Sequence, residues 1–397
     1  MTFQESPLPS ASAPHPHPRR SLLLATAAAL LALAGLGCVD HNQSSPLYVF
    51  DGANSNGGTV YEWDDISKVQ AVGAGGTSDA PNRTITGTFS GSSAPLGWGG
   101  MVFDESADML YLVFQDGTGY VIKKASDQNG SISGTDNILA FTLDNSAATF
   151  STGSFFGQVA LNSSSHTLYV METAQDGSNC RVWYVNNINA ITDGASFTTS
   201  QTFNVSGDKW GAGVAAAANG NFFGLFGYGS TIYDSLGNSY SGERLRMGSG
   251  TSFPSTSTQV LVGDQTQLNT TSSNYGALAY DSQNALLYCF VKPLASAATY
   301  PVLVFNYSQF TTGTPNQAPK STLPDASLQN LRILAHPPYN DWMAGADMTV
   351  AGTGSSSGTG SGTLRLWKEP SGGGTSVGVT LSGVTEIRGI AFGPASN

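Results

Sequence analysis

Trp98-Gly-Gly-Met-Val-Phe-Asp104 is the first of six copies of one short phrase, and its recurrence decides the fold. The other copies are Phe156-Gly-Gln-Val-Ala-Leu-Asn162, Trp210-Gly-Ala-Gly-Val-Ala-Ala216, Tyr275-Gly-Ala-Leu-Ala-Tyr-Asp281, Leu331-Arg-Ile-Leu-Ala-His-Pro337 and Ile387-Arg-Gly-Ile-Ala-Phe-Gly393. Their first residues are 58, 54, 65, 56 and 56 apart. A period of this size signals radial or stacked repeats. The first five copies are each followed by three more short apolar runs separated by turn residues, which is the grammar of a four-stranded blade. The second runs are Met109–Phe114, Thr167–Met171, Phe222–Phe226, Leu286–Phe290 and Trp342–Ala346. The third are Gly119–Lys123, Arg181–Val185, Glu243–Met247, Pro301–Phe305 and Gly362–Trp367. The fourth are Ile138–Leu143, Gln201–Val205, Gln259–Val262, Lys320–Leu323 and Val377–Leu381. No segment carries a 3.6-residue period for more than a turn or two.

The two chain ends complete one another. Leu47–Phe50, Gly58–Trp63 and Arg83–Phe89 read as strands two to four of a blade that lacks its first strand. The sixth phrase, Ile387–Phe392, is a first strand with nothing after it. The expectation is an all-β, six-bladed β-propeller of four-stranded blades. Its ring is closed by the C-terminal strand joining the N-terminal blade, which leaves no open sheet edge at the seam. Two longer insertions interrupt the pattern, at Tyr228–Gly242 and at Ala351–Gly362. The second is mostly Gly, Ser and Thr and reads as a surface loop.

Composition suits this reading. The 397 residues include 48 Gly, are 40% hydrophobic, and only 11% are charged. That is too apolar for a disordered chain and rich in turn formers. The formal net charge of −11 without basic clusters argues against nucleic acid and anionic lipid surfaces as partners.

The N-terminus carries the most specific local signal. A polar, Pro-rich stretch ends in Arg19-Arg20, the 16 residues Ser21–Leu36 form an apolar run, and it ends in Gly35-Leu36-Gly37-Cys38. The run is short for a membrane span. It resembles a bacterial lipoprotein signal, which implies a signal peptide over 1–37 and a lipidated Cys38. Residues 38–46 would then be a short tether before the propeller of 47–397. Eight residues from Cys38 to Ser45 reach about 28 Å at most, so the ring is expected close to a membrane. Cys180 and Cys289 fall in blades two apart on the repeat map and read as buried, unbridged thiols.

The blade wording resembles bacterial extracytoplasmic propellers of the NHL and YVTN-repeat type. The residues that carry the resemblance are Ala80-Pro-Asn-Arg-Thr-Ile-Thr-Gly87, Ala318-Pro-Lys-Ser-Thr-Leu323, Gly389-Ile-Ala-Phe-Gly-Pro394, and the Leu-Tyr-Val segments at Leu47 and Leu168. It spans about residues 47–394 and implies the architecture and a cell-envelope location rather than a ligand. The fifth copy departs from the wording with His336-Pro-Pro338.

Chemistry is sparse. Beyond the leader the chain has only His41, His166 and His336, in different segments of the map. A His-based metal centre or nucleophile–base pair is therefore not expected, and His336 reads as structural. Asp104, Asn162 and Asp281 recur at one repeat position, which favours turn capping over cation binding. No cofactor and no catalytic residue is assigned. The sharper candidates open the phrase. Trp98, Phe156, Trp210 and Tyr275 precede Gly, whereas Arg332 and Arg388 stand where those four blades have Gly. Equivalent positions ring the axis, so two Arg on neighbouring blades could take an anion while aromatics stack on a sugar. Against this, the aromatics would pack between blades and the Arg would pair with acids such as Glu386.

The sequence thus points to a lipid-anchored cell-envelope binding or scaffold protein, periplasmic or cell-surface, engaging a protein or carbohydrate ligand. The alternative is a propeller hydrolase, lactonase-like or glycan-active, with its site at the channel mouth. The reading leans away from an enzyme.

Overall fold

The computed structural model describes residues 45–52, 58–87, 89, 100–150, 153–204, 208–227, 231–250, 252–253, 259–268, 274–293, 299–325, 328, 331–347 and 363–394. Among these, six sheets follow one another along the chain, each an antiparallel meander from an inner to an outer strand. Blade 1 runs outward through Ile387–Phe392, Leu47–Asp51, Thr59–Trp63 and Arg83–Thr86. Blade 2 has Gly100–Asp104, Met109–Val113, Thr118–Lys123 and Ile138–Asp144. Blade 3 has Ser154–Asn162, Thr167–Ala174, Cys180–Val185 and Thr202–Asn204, and blade 4 has Lys209–Ala216, Asn221–Gly227, Arg244–Ser249 and Val260–Val262. Blade 5 has Asn274–Asp281, Leu286–Pro293, Val302–Asn306 and Ser321–Leu323. Blade 6 has Leu331–Ala335, Trp342–Asp347, Thr363–Lys368 and Ser376–Val379. Every inner strand is one of the six repeated phrases.

The seam is a strand pairing. Leu47 lies opposite Phe392 and Val49 opposite Ile390, so the first and last strands of the ring share one sheet. The fold is a six-bladed β-propeller closed by its C-terminal strand.

Burial explains why the strands read as near-continuous apolar runs. Side chains alternate across a strand, and both faces of a blade are covered by neighbouring blades. Leu47 and Val49 enter an apolar layer shared with Trp342, Leu364 and Leu366 of blade 6. Tyr48 and Phe50, one residue out of phase, enter the layer shared with Met101, Phe103 and Leu110 of blade 2. Corresponding layers fill the junctions of blades 2 and 3, 3 and 4, 4 and 5, and 5 and 6. The layer between blades 6 and 1 is as fully buried as the others, and it closes the ring. Cys180 and Cys289 are free thiols buried in two of these layers.

Three local features escape the repeat pattern. Ile66–Ala71 is a short helix, α1, started by Asp65, whose side chain accepts the Ser67 amide. Gly130–Ser131 adds parallel to the outer strand of blade 1, and Ala195–Thr198 adds parallel to that of blade 2. Each comes from the blade that follows, so it straps adjacent blades together. These additions are only two and four residues long, too short for alternation to mark them as strands in the sequence. Within the first insertion, Ile232–Tyr233 and Ser239–Tyr240 form a hairpin. The second insertion, Ala351–Gly362, lies outside the described residues.

Candidate functional site

The axis is the natural place to look in a propeller, and Gln158 of blade 3 crosses it. Its Nε2 donates to the carbonyls of Leu278 (2.6 Å) in blade 5 and Leu334 (3.3 Å) in blade 6. Its Oε1 accepts the amides of Leu278 (3.0 Å) and Val214 (3.3 Å), the latter in blade 4. Inner strands have no strand on their axial side, so their backbone groups need other partners. One side-chain amide supplies them to three blades at once. A Cβ on Gly213 would lie 2.6 Å from the Gln158 oxygen, so glycine there lets the amide in. Nothing at Gln158 marks it in the sequence; it is a single polar residue inside the copy of the phrase that ends at Asn162.

The leading ends of the inner strands hold a layer of buried ion pairs. In blade 3, Arg181 donates through Nε (2.5 Å) and Nη2 (3.0 Å) to Glu172, which also accepts from Trp183 (2.6 Å), Ser154 (2.6 Å) and Asn145 (2.9 Å). Burial alone would raise the Glu172 carboxyl, but these donors outweigh it and hold the carboxyl below its ordinary range. In blade 4, Arg246 (2.5 Å) and Arg244 (3.2 Å) converge on Asp208.

The two repeat-related arginines belong to this layer. Arg388 is buried and bonded to Glu386, with Asp51 nearby; burial nonetheless lowers its pKa. Arg332 is also buried. Each stands at a bulge, where the register with the next strand slips by one residue. Bulges interrupt the inner strands of blades 3 and 4 as well, at Gly157–Gln158 and on either side of Gly211, so four of the six inner strands are kinked at or beside the Gly-or-Arg position. Of the aromatic candidates, Phe156 is buried between blades 2 and 3 against Trp183. Trp210 has a left-handed backbone (φ 50°) within its bulge and lies edge-on to Phe155 of blade 3. Tyr275 lies in the inner strand of blade 5. Trp98 and Cys38 lie outside the described residues. A ligand in the channel would meet neither Phe156 nor Arg388 without displacing the contacts they already make.

At the trailing ends, the recurring Asp and Asn cap turns as their spacing predicts. Asp104 accepts from Ser106 and Ala107, Asn162 from Ser164 and Ser165, and Asp281 from Gln283 and Asn284. Two of them do more. His166 of blade 3 reaches Asp104 of blade 2 at 2.5 Å. His336 of blade 6 lies 3.7 Å from Asp281 of blade 5 and 3.9 Å from Asp341 of its own turn. Histidines that the sequence scatters are therefore each brought to an acid of the preceding blade. Asp281, His336 and Asp341 place one donor atom each within 4.8 Å of the others, a spacing fit for a cation. The sequence places Asp281 in a different segment of the map from His336 and Asp341, and the fold brings the three together. The reason is that adjacent blades meet at their turns, however far apart the residues are in the chain.

On the periphery of blade 4, the inserted hairpin presents Tyr233 and Leu236 to solvent, 62% and 85% exposed. Asp234 stiffens its tip, accepting the Leu236 and Asn238 amides at 2.9 Å, the Asn238 side chain at 2.9 Å and the Tyr240 hydroxyl at 3.1 Å. Those donors, the Asn238 side chain first, lower the Asp234 pKa.

No protein-family model matches the chain, and no curated protein matches it. Among solved structures it is similar to the β-propeller domain of Myceliophteria thermophila Cps50 (Swd1), at 9% identity and a TM-score of 0.41, over 89% of this chain and 90% of that one. It is also similar to Kuenenia stuttgartiensis hydrazine synthase (9% identity, TM-score 0.41, 74% and 68% covered). A third is Chaetomium thermophilum Raptor (12% identity, TM-score 0.36), where it covers 69% of this chain but spans only 20% of the Raptor chain. Likeness this low carries no argument, and the propeller assignment rests on the chain's own six sheets.

Proposed function

We propose that this chain is a binding scaffold of the cell envelope, anchored by lipid on Cys38 and engaging a protein partner through the hairpin of blade 4. The observation that carries the partner surface is the exposure of Tyr233 and Leu236 on a turn already fixed by Asp234. Ordering a loop on binding costs affinity, and a hairpin held by four hydrogen bonds avoids that cost. An exposed aromatic and an exposed leucine on one turn are the kind of anchor that protein interfaces bury. The Gln158 bridge and the His166–Asp104 contact between blades 2 and 3 support the scaffold reading, because they make the ring a rigid support. The lipoprotein-like leader and the NHL/YVTN-like wording support the address.

The test is a photoreactive residue at position 236, activated in the native envelope. The expected result is a discrete protein adduct that disappears in the Tyr233→Ala background and does not form from position 72. No adduct, or the same adducts from both positions, would refute the reading.

A further inference from the structure

The turn that leaves blade 6's inner strand is unlike its counterparts. After Ala335 it runs His336-Pro-Pro-Tyr-Asn-Asp341 before the second strand starts at Trp342. The prolines carry no N–H and cannot extend the ladder. The longer turn brings Asp341 back beside His336, while the turn of neighbouring blade 5 supplies Asp281. We infer that Asp281, His336 and Asp341 form a binding site for a divalent cation of the zinc class, clamping the turns of blades 5 and 6.

The imidazole is the deciding group. Its Nδ1 lies 2.8 Å from the Pro337 carbonyl, and only an N–H can make that bond. This is the arrangement that fixes a metal-binding histidine in the tautomer whose other nitrogen is free to ligate. Nε2 then points at two carboxylates. The His336 side chain is 1% exposed, and Nε2 has no hydrogen-bond partner among the described residues. A neutral Nε2 lone pair facing two anions is repulsive unless something positive lies between them. An imidazolium proton would satisfy the charge, but its bonds to carboxylate run about 2.7–2.9 Å, well short of the 3.7 and 3.9 Å found. Ligands held about 2.0–2.2 Å from a tetrahedral zinc lie about 3.4 Å apart. The observed spacing needs to tighten by about 0.3–0.5 Å on the histidine side and by up to about 1.4 Å between the carboxylates.

The outer contacts match a ligating role. Asp281 accepts the Asn284 side chain (2.8 Å), and Asp341 accepts the Ser371 amide (3.2 Å) and hydroxyl. Tyr288 stacks on the imidazole, with ring centroids 5.6 Å apart and planes 11° apart, and limits its rotation. One nitrogen and two carboxylate oxygens suit zinc-class ions better than calcium or magnesium, which take oxygen donors. Two aspartates and one M²⁺ are charge-neutral, as burial requires. With the Asp281 and His336 side chains each 1% exposed, the site excludes a substrate, so the cation's role is to clamp rather than catalyse.

The experiment uses untagged full-length protein, dialysed against chelator and titrated with zinc by calorimetry while its melting temperature is followed. Wild type should bind one equivalent per chain and melt higher with zinc. His336→Gln and Asp341→Asn should each lose zinc binding, and the melting temperature of neither should rise when zinc is added. Asp281 is left intact because it also caps its turn. Should either variant fail to fold, zinc-edge absorption on the wild type decides: a nitrogen and oxygen shell with an imidazole contribution supports the site, and a sulfur shell overturns it. Absence of zinc binding by wild type, undiminished binding by both variants, or a response to calcium alone would also overturn it.

Discussion

Replacing Gln158 with alanine removes the only side chain seen to tie three other inner strands across the axis among the described residues. Four hydrogen bonds are lost: those to the carbonyls of Leu278 and Leu334, and those from the amides of Leu278 and Val214. At about 1 kcal/mol each, the upper figure is about 4 kcal/mol. Gln158 is half-buried, so water can replace some of the bonds, and the expected loss is about 2–3 kcal/mol. Gln158→Glu separates hydrogen bonding from space filling. Its carboxylate still accepts from Leu278 and Val214, but it sets an oxygen against two carbonyls. At neutral pH it should be less stable than Gln158→Ala by about 1–2 kcal/mol. Those carbonyls favour the protonated acid, so the pKa of the introduced carboxyl is raised in the folded state. Its contribution is then present at low pH and lost as pH rises through that raised value. Urea unfolding at neutral and acid pH measures both effects. A Gln158→Ala protein within about 0.5 kcal/mol of wild type, or a Gln158→Glu protein whose deficit relative to alanine is unchanged by acid, would refute the bridge.

Other expectations follow from the same structure. Glu172→Gln should cost about 3–5 kcal/mol at neutral pH, because Arg181 is left buried without its anion. The wild-type carboxyl is held below its ordinary range, so its stabilisation is present above that range and lost as pH falls through the lowered value; the gap between the two proteins in denaturant unfolding should close in acid. Deleting residues 386–397 removes the inner strand of blade 1 and the partners of Leu47–Phe50. Loss of the cooperative calorimetric transition is expected, and a melt within a few degrees of wild type would contradict closure by this strand. Cys38→Ala should move the protein from the membrane to the soluble fraction on cell fractionation, and retention at the membrane would exclude the lipid anchor.

Architecture was legible in the sequence because it is repetitive. A blade cannot bury either face alone, so each copy must present the same apolar strands to its neighbours, and the period survives large changes in wording. The ends were legible for the same reason: a blade with strands two to four and a lone first strand have one economical solution, and Leu47 opposite Phe392 is that solution. The turn caps were legible too, since Asp104, Asn162 and Asp281 cap through contacts two or three residues away. Arg388 pairs with Glu386, two residues off, as their proximity in the chain suggests. What the sequence could not decide is where side chains of different blades meet. The bulges that re-aim Arg332, Arg388 and Trp210 depend on how each inner strand fits against the next, and no local preference specifies them. Gln158 meets Leu278 and Leu334 at separations of 120 and 176 residues. His336 meets Asp281 only because blades 5 and 6 are adjacent at their turns. Local physics, the alternation of side chains and the chemistry of turns, is written in consecutive residues. Contacts across the axis and between turns arise only when the ring closes and sets distant residues a few ångströms apart.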